Sequence, residues 1–160
     1  MSQLVKISGF FPRILKPFNY YEAETIGEAT EILSEYHEQA RVLAGGLDLI
    51  PRMRRRLLVP QCVVSIQRIP GLDYINCDSR EGLSFGPMTS IRSLELSPLI
   101  KKDYFALHEA AHQIASVQVK VGGTAVGNLC VATPASDIAV AMLAFEAKVK
   151  IVGPSSEKVI

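Results

Sequence analysis

An α+β fold in two small lobes is the class this sequence predicts, and three observations predict it. Helical and strand periodicities alternate along the chain, several helices open on a capping residue or a proline, and two glycine-rich loops each stand shortly before a helix. With 160 residues and 48% hydrophobic content, the chain can bury one substantial core or two small lobes that share an interface.

The elements follow in order. Thr25 opens a capping box, T-I-G-E, with Ile26, Ala29, Ile32 and Leu33 at helical spacing behind it, which predicts a helix over 26–36. Arg41 to Ala44 reads as a short strand stopped by Gly45-Gly46, and Leu49 onward starts a second helix with Pro51 in its first turn. Cys62 to Ile66 reads as a buried strand, followed by a turn at Ile69 to Leu72 and short strands at 74–75 and 83–85, so β content is expected to rise after Pro60. Ser97-Pro98 caps another helix, and Leu107, Ala110, Ala111, Ile114 and Ala115 form an apolar face over 105–115. Gly122 to Asn128 reads as a loop, Thr133-Pro134 as the cap of a buried helix reaching Phe145, and Lys148 to Ile160 as a hairpin whose return strand has barely begun. The expected lobes are 1–57 and 58–160, the second with a mixed sheet and incomplete at its C-terminal end.

Charge and composition narrow the function. A net charge of +1, with both signs spread along the sequence, leaves no electrostatic footprint for nucleic acid or an anionic membrane. No run approaches the roughly 20 apolar residues of a membrane span, and Met1 to Lys16 lacks the uninterrupted apolar core of an export signal. A cytoplasmic protein is expected. Cys62, Cys77 and Cys130 are odd in number and widely spaced, so neither a disulfide framework nor a metal knuckle is predicted; Cys62 and Cys130 read as small buried hydrophobes. The basic run Arg52, Arg54, Arg55, Arg56 reads as a solvated helix end, or else as a dock for an acidic partner.

Chemistry concentrates in the two glycine loops, Ala44-Gly45-Gly46-Leu47-Asp48-Leu49-Ile50 and Gly122 to Cys130. A diphosphate needs backbone N–H groups in a concavity, and glycine lets the main chain come close or adopt positive φ. Neither loop reproduces G-x-G-x-x-G or the Walker pattern. The rival signal is His108-Glu109-Ala110-Ala111-His112, a literal H-E-x-x-H that puts two histidines on one helix face, as a zinc peptidase requires. Ala115 and Gln118 stand where the metzincin continuation needs Gly and His, so packing explains the helix better and no metal ligand is assigned.

The chain carries A-G-G-L-D-L at Ala44 to Leu49 and Q-V-K-V-G-G-T-A-V-G-N-L-C-V-A-T-P-A-S-D at Gln118 to Asp137, with I-P-G-L at Ile69 to Leu72 and L-S-F-G-P-M-T-S at Leu83 to Ser90 between them. In this order these blocks resemble the FAD-binding part of the flavin (medium) subunit of molybdenum hydroxylases, the family of xanthine dehydrogenase and aerobic carbon monoxide dehydrogenase. Its patterns are A-G-G-T-D-L and Q-I-R-N-x-A-T-I-G-G-N-L-C-x-A-x-P-A-S-D. The resemblance implies a two-lobed vanillyl-alcohol-oxidase (PCMH) type FAD-binding domain. FAD would be held by Ala44, Gly45, Gly46, Leu47, Asp48, Leu49, Thr124, Gly127, Asn128, Ser136 and Asp137, with no catalytic acid or base on this chain. It further implies as partners a large subunit with the molybdenum cofactor and a small subunit with two-iron iron–sulfur clusters, whose electrons FAD passes to an external acceptor.

Three departures carry expectations of their own. Leu47 replaces a polar residue. Val126 replaces the first glycine of G-G-N and, as a β-branched residue resisting positive φ, is expected to weaken FAD binding. The family's subunit also runs on beyond the equivalent of Ile160, so the chain reads as C-terminally truncated, with an unpaired edge that makes it oligomeric or dependent on partners. A truncated scaffold without flavin is the second class of function.

Overall fold

The computed structural model describes residues 15–160. The absence of an export signal was read from a segment most of which, 1–14, lies outside the described residues.

Three strands, β1 (Asn19–Glu22), β2 (Ala40–Leu43) and β3 (Cys62–Ser65), form a parallel sheet in the order β1-β3-β2, with Cys62 aligned to both Asn19 and Ala40. All four residues of β3 are buried, as a central parallel strand requires. The crossover from β1 to β2 is helix α1 (Ile26–Tyr36), which starts where the capping box predicts: the Glu28 amide donates to Thr25 Oγ1 at 3.1 Å, and the Glu28 carboxylate accepts from the Glu24 amide at 2.9 Å. Ala23, Ala29, Ala40, Cys62, Val64 and Ile69 are the buried core here, with Ile66 and Leu72 packed against it. A division between residues 57 and 58 would therefore cut β3 from its own sheet; the first core continues to Leu72.

Helix α2 (Leu49–Arg54) connects the end of β2 toward β3, and its basic end lies exposed at Arg54, Arg55 and Arg56. After β3 come the hairpin β4 (Ile75–Asp78) and β5 (Gly82–Phe85), then six helices: α3 (Ile91–Leu96), α4 (Pro98–Asp103), α5 (Phe105–Gln113), α6 (Val117–Gly122), α7 (Ala125–Cys130) and α8 (Asp137–Ala144). The hairpin β6 (Lys150–Val152) and β7 (Glu157–Val159) follows. No mixed sheet forms among the described residues; the strands after β3 pair only as two antiparallel hairpins, and helices dominate the rest. Ile91, Leu94, Ile100, Leu107, Ala111 and Ile138 anchor this second core.

The two middle sequence blocks join these parts. A Cβ on Gly86 would stand 2.0 Å from the Leu72 carbonyl oxygen, so only glycine lets the turn after β5 lie on the I-P-G-L segment. There the Met88 amide donates to the Leu72 carbonyl at 2.9 Å, and the buried Thr89 hydroxyl donates to the Tyr74 carbonyl at 2.8 Å.

Two expectations about helices change. The last helix is capped by Ser136, whose Oγ accepts from the Ala139 amide at 3.1 Å, rather than by Thr133. It is also buried on one side only: Ile138 is fully buried while Val140 and Leu143 are 65% and 79% exposed. Likewise Cys62 is buried as expected, but Cys130 is exposed at the end of α7.

Candidate functional site

The two glycine loops meet. A Cβ on Gly45 would lie 2.0 Å from the Gly122 carbonyl oxygen and 3.3 Å from the Gly123 Cα, so the two main chains touch at a distance that excludes any side chain. Gly46 has φ +73°, the left-handed conformation glycine adopts at least cost, and turns β2 into α2. Leu47 then reaches across, its Cδ1 at 3.4 Å and 3.5 Å from the positions a Cβ would take on Gly122 and Gly123. The residue expected to be a polar departure is an apolar clasp between the loops.

Gly122 to Asn128 is not one loop. Gly122 closes α6, Gly123 and Thr124 are extended, and α7 begins at Ala125 with Thr124 as its cap, whose hydroxyl accepts from the Gly127 amide at 3.1 Å. A Cβ on Gly127 would come within 2.5 Å of that hydroxyl, which is why glycine stands here. Val126 lies inside α7 and is absent from the positive-φ residues, so the strain expected of a β-branched side chain does not arise. The Thr124 strand segment is tied to the start of α3: the Ile91 amide donates to the Gly123 carbonyl at 2.9 Å and the Ala125 amide to the Thr89 carbonyl at 3.0 Å.

A cleft of about 710 Å³ opens between the loops, within the size range of small-molecule sites. Ala44, Gly45, Gly46, Leu47, Asp48 and Leu49 line it, as do Thr124, Gly127 and Asn128. Among the described residues, the backbone amides of Gly45, Gly46, Leu47, Asp48, Thr124 and Val126 donate to no protein acceptor. Ser136 is not a lining residue: it is buried, and its hydroxyl donates to Asn128 Oδ1 at 2.6 Å, leaving the Asn128 amide nitrogen as the group free to donate. Asp137 is exposed in the first turn of α8 and does not line the cleft.

The cleft also has walls that sequence reasoning missed. Arg52 lines it beside Asp48, its Nη1 3.2 Å from Asp48 Oδ2; Arg41 also lines it, with Nη1 donating to the Glu38 and Ala40 carbonyls, and Pro87, Ile91, Ile114 and Val119 supply apolar surface. Between α3, α5 and α6 lies an ion cluster whose Glu95 and Lys120 are buried while Arg92 and His112 reach solvent. Glu95 Oε1 accepts from Lys120 Nζ at 2.8 Å and pairs with His112 Nδ1 at 2.9 Å, and Glu95 Oε2 accepts from Arg92 at 2.6 Å. The Lys120 ammonium chiefly, helped by Arg92 and His112 against the cost of burial, holds the Glu95 carboxyl down at about 2. One charge in the apolar run V-K-V was the available sequence signal, since a charged residue is rarely buried unless paired.

The same cluster accounts for half of the H-E-x-x-H motif. His112 engages Glu95, and its ring stacks on that of His108 with centroids 6.1 Å apart; His108 is buried. Among the described residues no group of three or more His, Cys, Asp or Glu is placed to hold a metal ion.

The family described as the FAD binding domain in molybdopterin dehydrogenase matches residues 16–160. The chain belongs to this family. Its relatives include the glyceraldehyde dehydrogenase medium chain of Sulfolobus acidocaldarius, 33% identical across 88% of this chain and 50% of that one. The carbon monoxide dehydrogenase medium chain of Hydrogenophaga pseudoflava is 32% identical across 89% and 50%. The solved carbon monoxide dehydrogenase of Hydrogenophaga pseudoflava superposes with a TM-score of 0.87 at 32% identity, covering 92% of this chain and 51% of that one. Quinoline 2-oxidoreductase from Pseudomonas putida 86, at 24% identity and a TM-score of 0.85, shares the fold. The chain thus spans about half the length of the curated relatives it matches.

FAD is the cofactor of this FAD-binding family, and the residues present fit it. Glycines at the close approach, unpaired amides from both loops, and the Arg52 guanidinium at the rim suit an anionic diphosphate.

Proposed function

We propose that this chain holds FAD in the cleft between Gly45-Gly46 and Thr124 to Asn128, as the FAD-binding part of a molybdenum hydroxylase medium subunit. The observation that carries the reading is the backbone contact of Gly45 with Gly122, which brings two loops with unpaired amides to one cleft. The amides of Gly45 to Asp48 and of Thr124 and Val126 bind the diphosphate oxygens, and Arg52 offsets part of its charge. Asn128, oriented by Ser136, donates to the cofactor, and Leu47 with Val119 and Ile114 keeps water from the wall beside it. Bound FAD supplies reversible electron acceptance. The chain contributes position and electrostatic environment, with no acid or base of its own.

The two cores form the two lobes of a vanillyl-alcohol-oxidase type domain in this reading, joined near Leu72 to Ile75. The same reading extends to partners: electrons arrive from two-iron clusters of a small subunit after hydroxylation at a molybdenum cofactor in a large subunit, and leave to an external acceptor. Support comes from relatives whose names call them medium chains. The setting is cytoplasmic, and none of the described helices is long and apolar enough to cross a membrane.

Absorbance of the purified chain, before and after addition of FAD, tests the proposal, with Gly46→Val as the paired variant. Flavin bands in a one-to-one ratio, lost in the variant, are expected; stoichiometric FAD retained by Gly46→Val overturns the loop assignment. A flavin-free scaffold is the second reading, favoured by the exposed Val140 and Leu143 on α8. A stable complex with no flavin bands would select it.

A further inference from the structure

We propose that Lys120 is a positioning residue for the cofactor cleft, holding the Gly122-Gly123 turn in its seat against Gly45 through the buried Glu95. The inference rests on the FAD reading above for its binding arm alone. Lys120 lies in the last turn of α6, two residues before Gly122, and its side chain is 5% exposed. Its ammonium donates to Glu95 Oε1 on α3 and to the backbone carbonyl of His112 at the end of α5. One turn before Glu95, the start of α3 is bonded to the loop itself, through the Ile91 amide and the Gly123 carbonyl, and the Ile91 Cδ1 lies 3.3 Å from where a Gly123 Cβ would be. α3 and α6 are therefore tied at two points, one polar and buried, the other at the cleft wall.

The polar tie is an unusual choice for stability alone. A buried ion pair gains little over well-packed apolar side chains of the same volume, because desolvation of both charges offsets their attraction. What it does fix is register: the ammonium is satisfied only when α6 sits at one rotation and height relative to Glu95 and the His112 carbonyl. At the Gly45–Gly122 contact a slide of α6 has no slack to absorb it, since the two backbones already touch. Lys120 acts on the cofactor through this geometry and touches none of it, being absent from the cleft lining.

Lys120→Met strands a buried carboxylate and can unfold the chain, so the decisive variant of the full chain is Glu95→Leu/Lys120→Met, in which both buried charges go and Arg92 and His112 turn to solvent. Its melting temperature should stay near that of the unaltered chain. FAD affinity should fall by about tenfold or more, and hydrogen exchange at the Ile91, Gly123 and Ala125 amides should quicken by about as much relative to Val63 and Val64. Lys120→Arg, which keeps a cation at the same place, should remain within about threefold on both readouts. The proposal is overturned if the folded double variant matches the unaltered chain in affinity and exchange, or if Lys120→Arg falls as far as the double variant. If the unaltered chain takes up no FAD, the cofactor reading fails and the exchange comparison alone decides the role of Lys120.

Discussion

Gly45→Ala perturbs the backbone contact between the two glycine loops. The added Cβ would stand 2.0 Å from the Gly122 carbonyl oxygen and 3.1 Å from its carbon, both backbone atoms that no rotamer change can remove. The loops must part by about 1 Å before the contact reaches the 3.0 Å that real Cβ atoms respect. Overpacking of this kind costs about 1–3 kcal/mol. If cofactor binding requires the loops back in place, that strain returns on binding and weakens affinity about tenfold to a hundredfold, at about 1.4 kcal/mol per factor of ten. Gly71→Ala is the control: Gly71 has φ +74° but nothing within 4 Å of a new Cβ, so it loses roughly 1–2 kcal/mol of stability from backbone strain with no change at the cleft. Titration of each variant with FAD by flavin fluorescence, beside thermal denaturation, separates the two effects. Gly45→Ala binding FAD within about twofold of the unaltered chain, at whatever stability, would refute the reasoning.

Further outcomes follow from named contacts. Val126→Gly should leave FAD affinity no higher and cost roughly 0.5 kcal/mol of stability, because Val126 is helical and glycine is the poorer helix former; a clear rise in affinity would contradict the helical assignment. Ser136→Ala should cost about 1 kcal/mol through loss of the α8 cap and also weaken FAD binding by freeing Asn128, checked by melting and titration together. The Glu95 carboxyl, held at about 2 in the folded chain against 4.5 ordinarily, contributes stability that is fully present above pH 4.5 and is lost as pH falls from there toward 2. Denaturant titrations across that window should show a slope that Glu95→Gln flattens; an unchanged slope would contradict the buried pairing.

Local chemistry was legible in the sequence wherever a short-range rule sufficed. Thr25 with Glu28, Ser97 with Pro98, and Gly46 at its turn all act where their spacing put them, because a cap or a positive φ is decided within four residues. Pairing across distance was not. β3 is central between β1 and β2, and nothing in C-V-V-S distinguishes a strand of the first sheet from one of a second. Composition misled at α8, where D-I-A-V-A-M-L-A is apolar on nearly every side yet only the Ile138 and Ala141 face meets the core. At the cleft, the loop residues themselves could be named from their glycines. That Gly45 rests on Gly122, that Leu47 bridges the loops, and that Val126 is helical all depend on how two distant segments meet. The Ser136 hydroxyl reached the site through Asn128 from its non-helical cap position, whereas Asp137, the first residue of α8, is exposed and does not line the cleft.

The central claim is that FAD lies between these two loops, and amide chemical-shift mapping of the chain during titration with FAD tests it most directly. Saturable one-to-one shifts centred on Gly45, Gly46, Leu47, Asp48, Thr124, Gly127 and Asn128, with β6 and β7 unaffected, are the predicted result. Shifts centred elsewhere in the described residues, or no shift at saturating FAD, would contradict it.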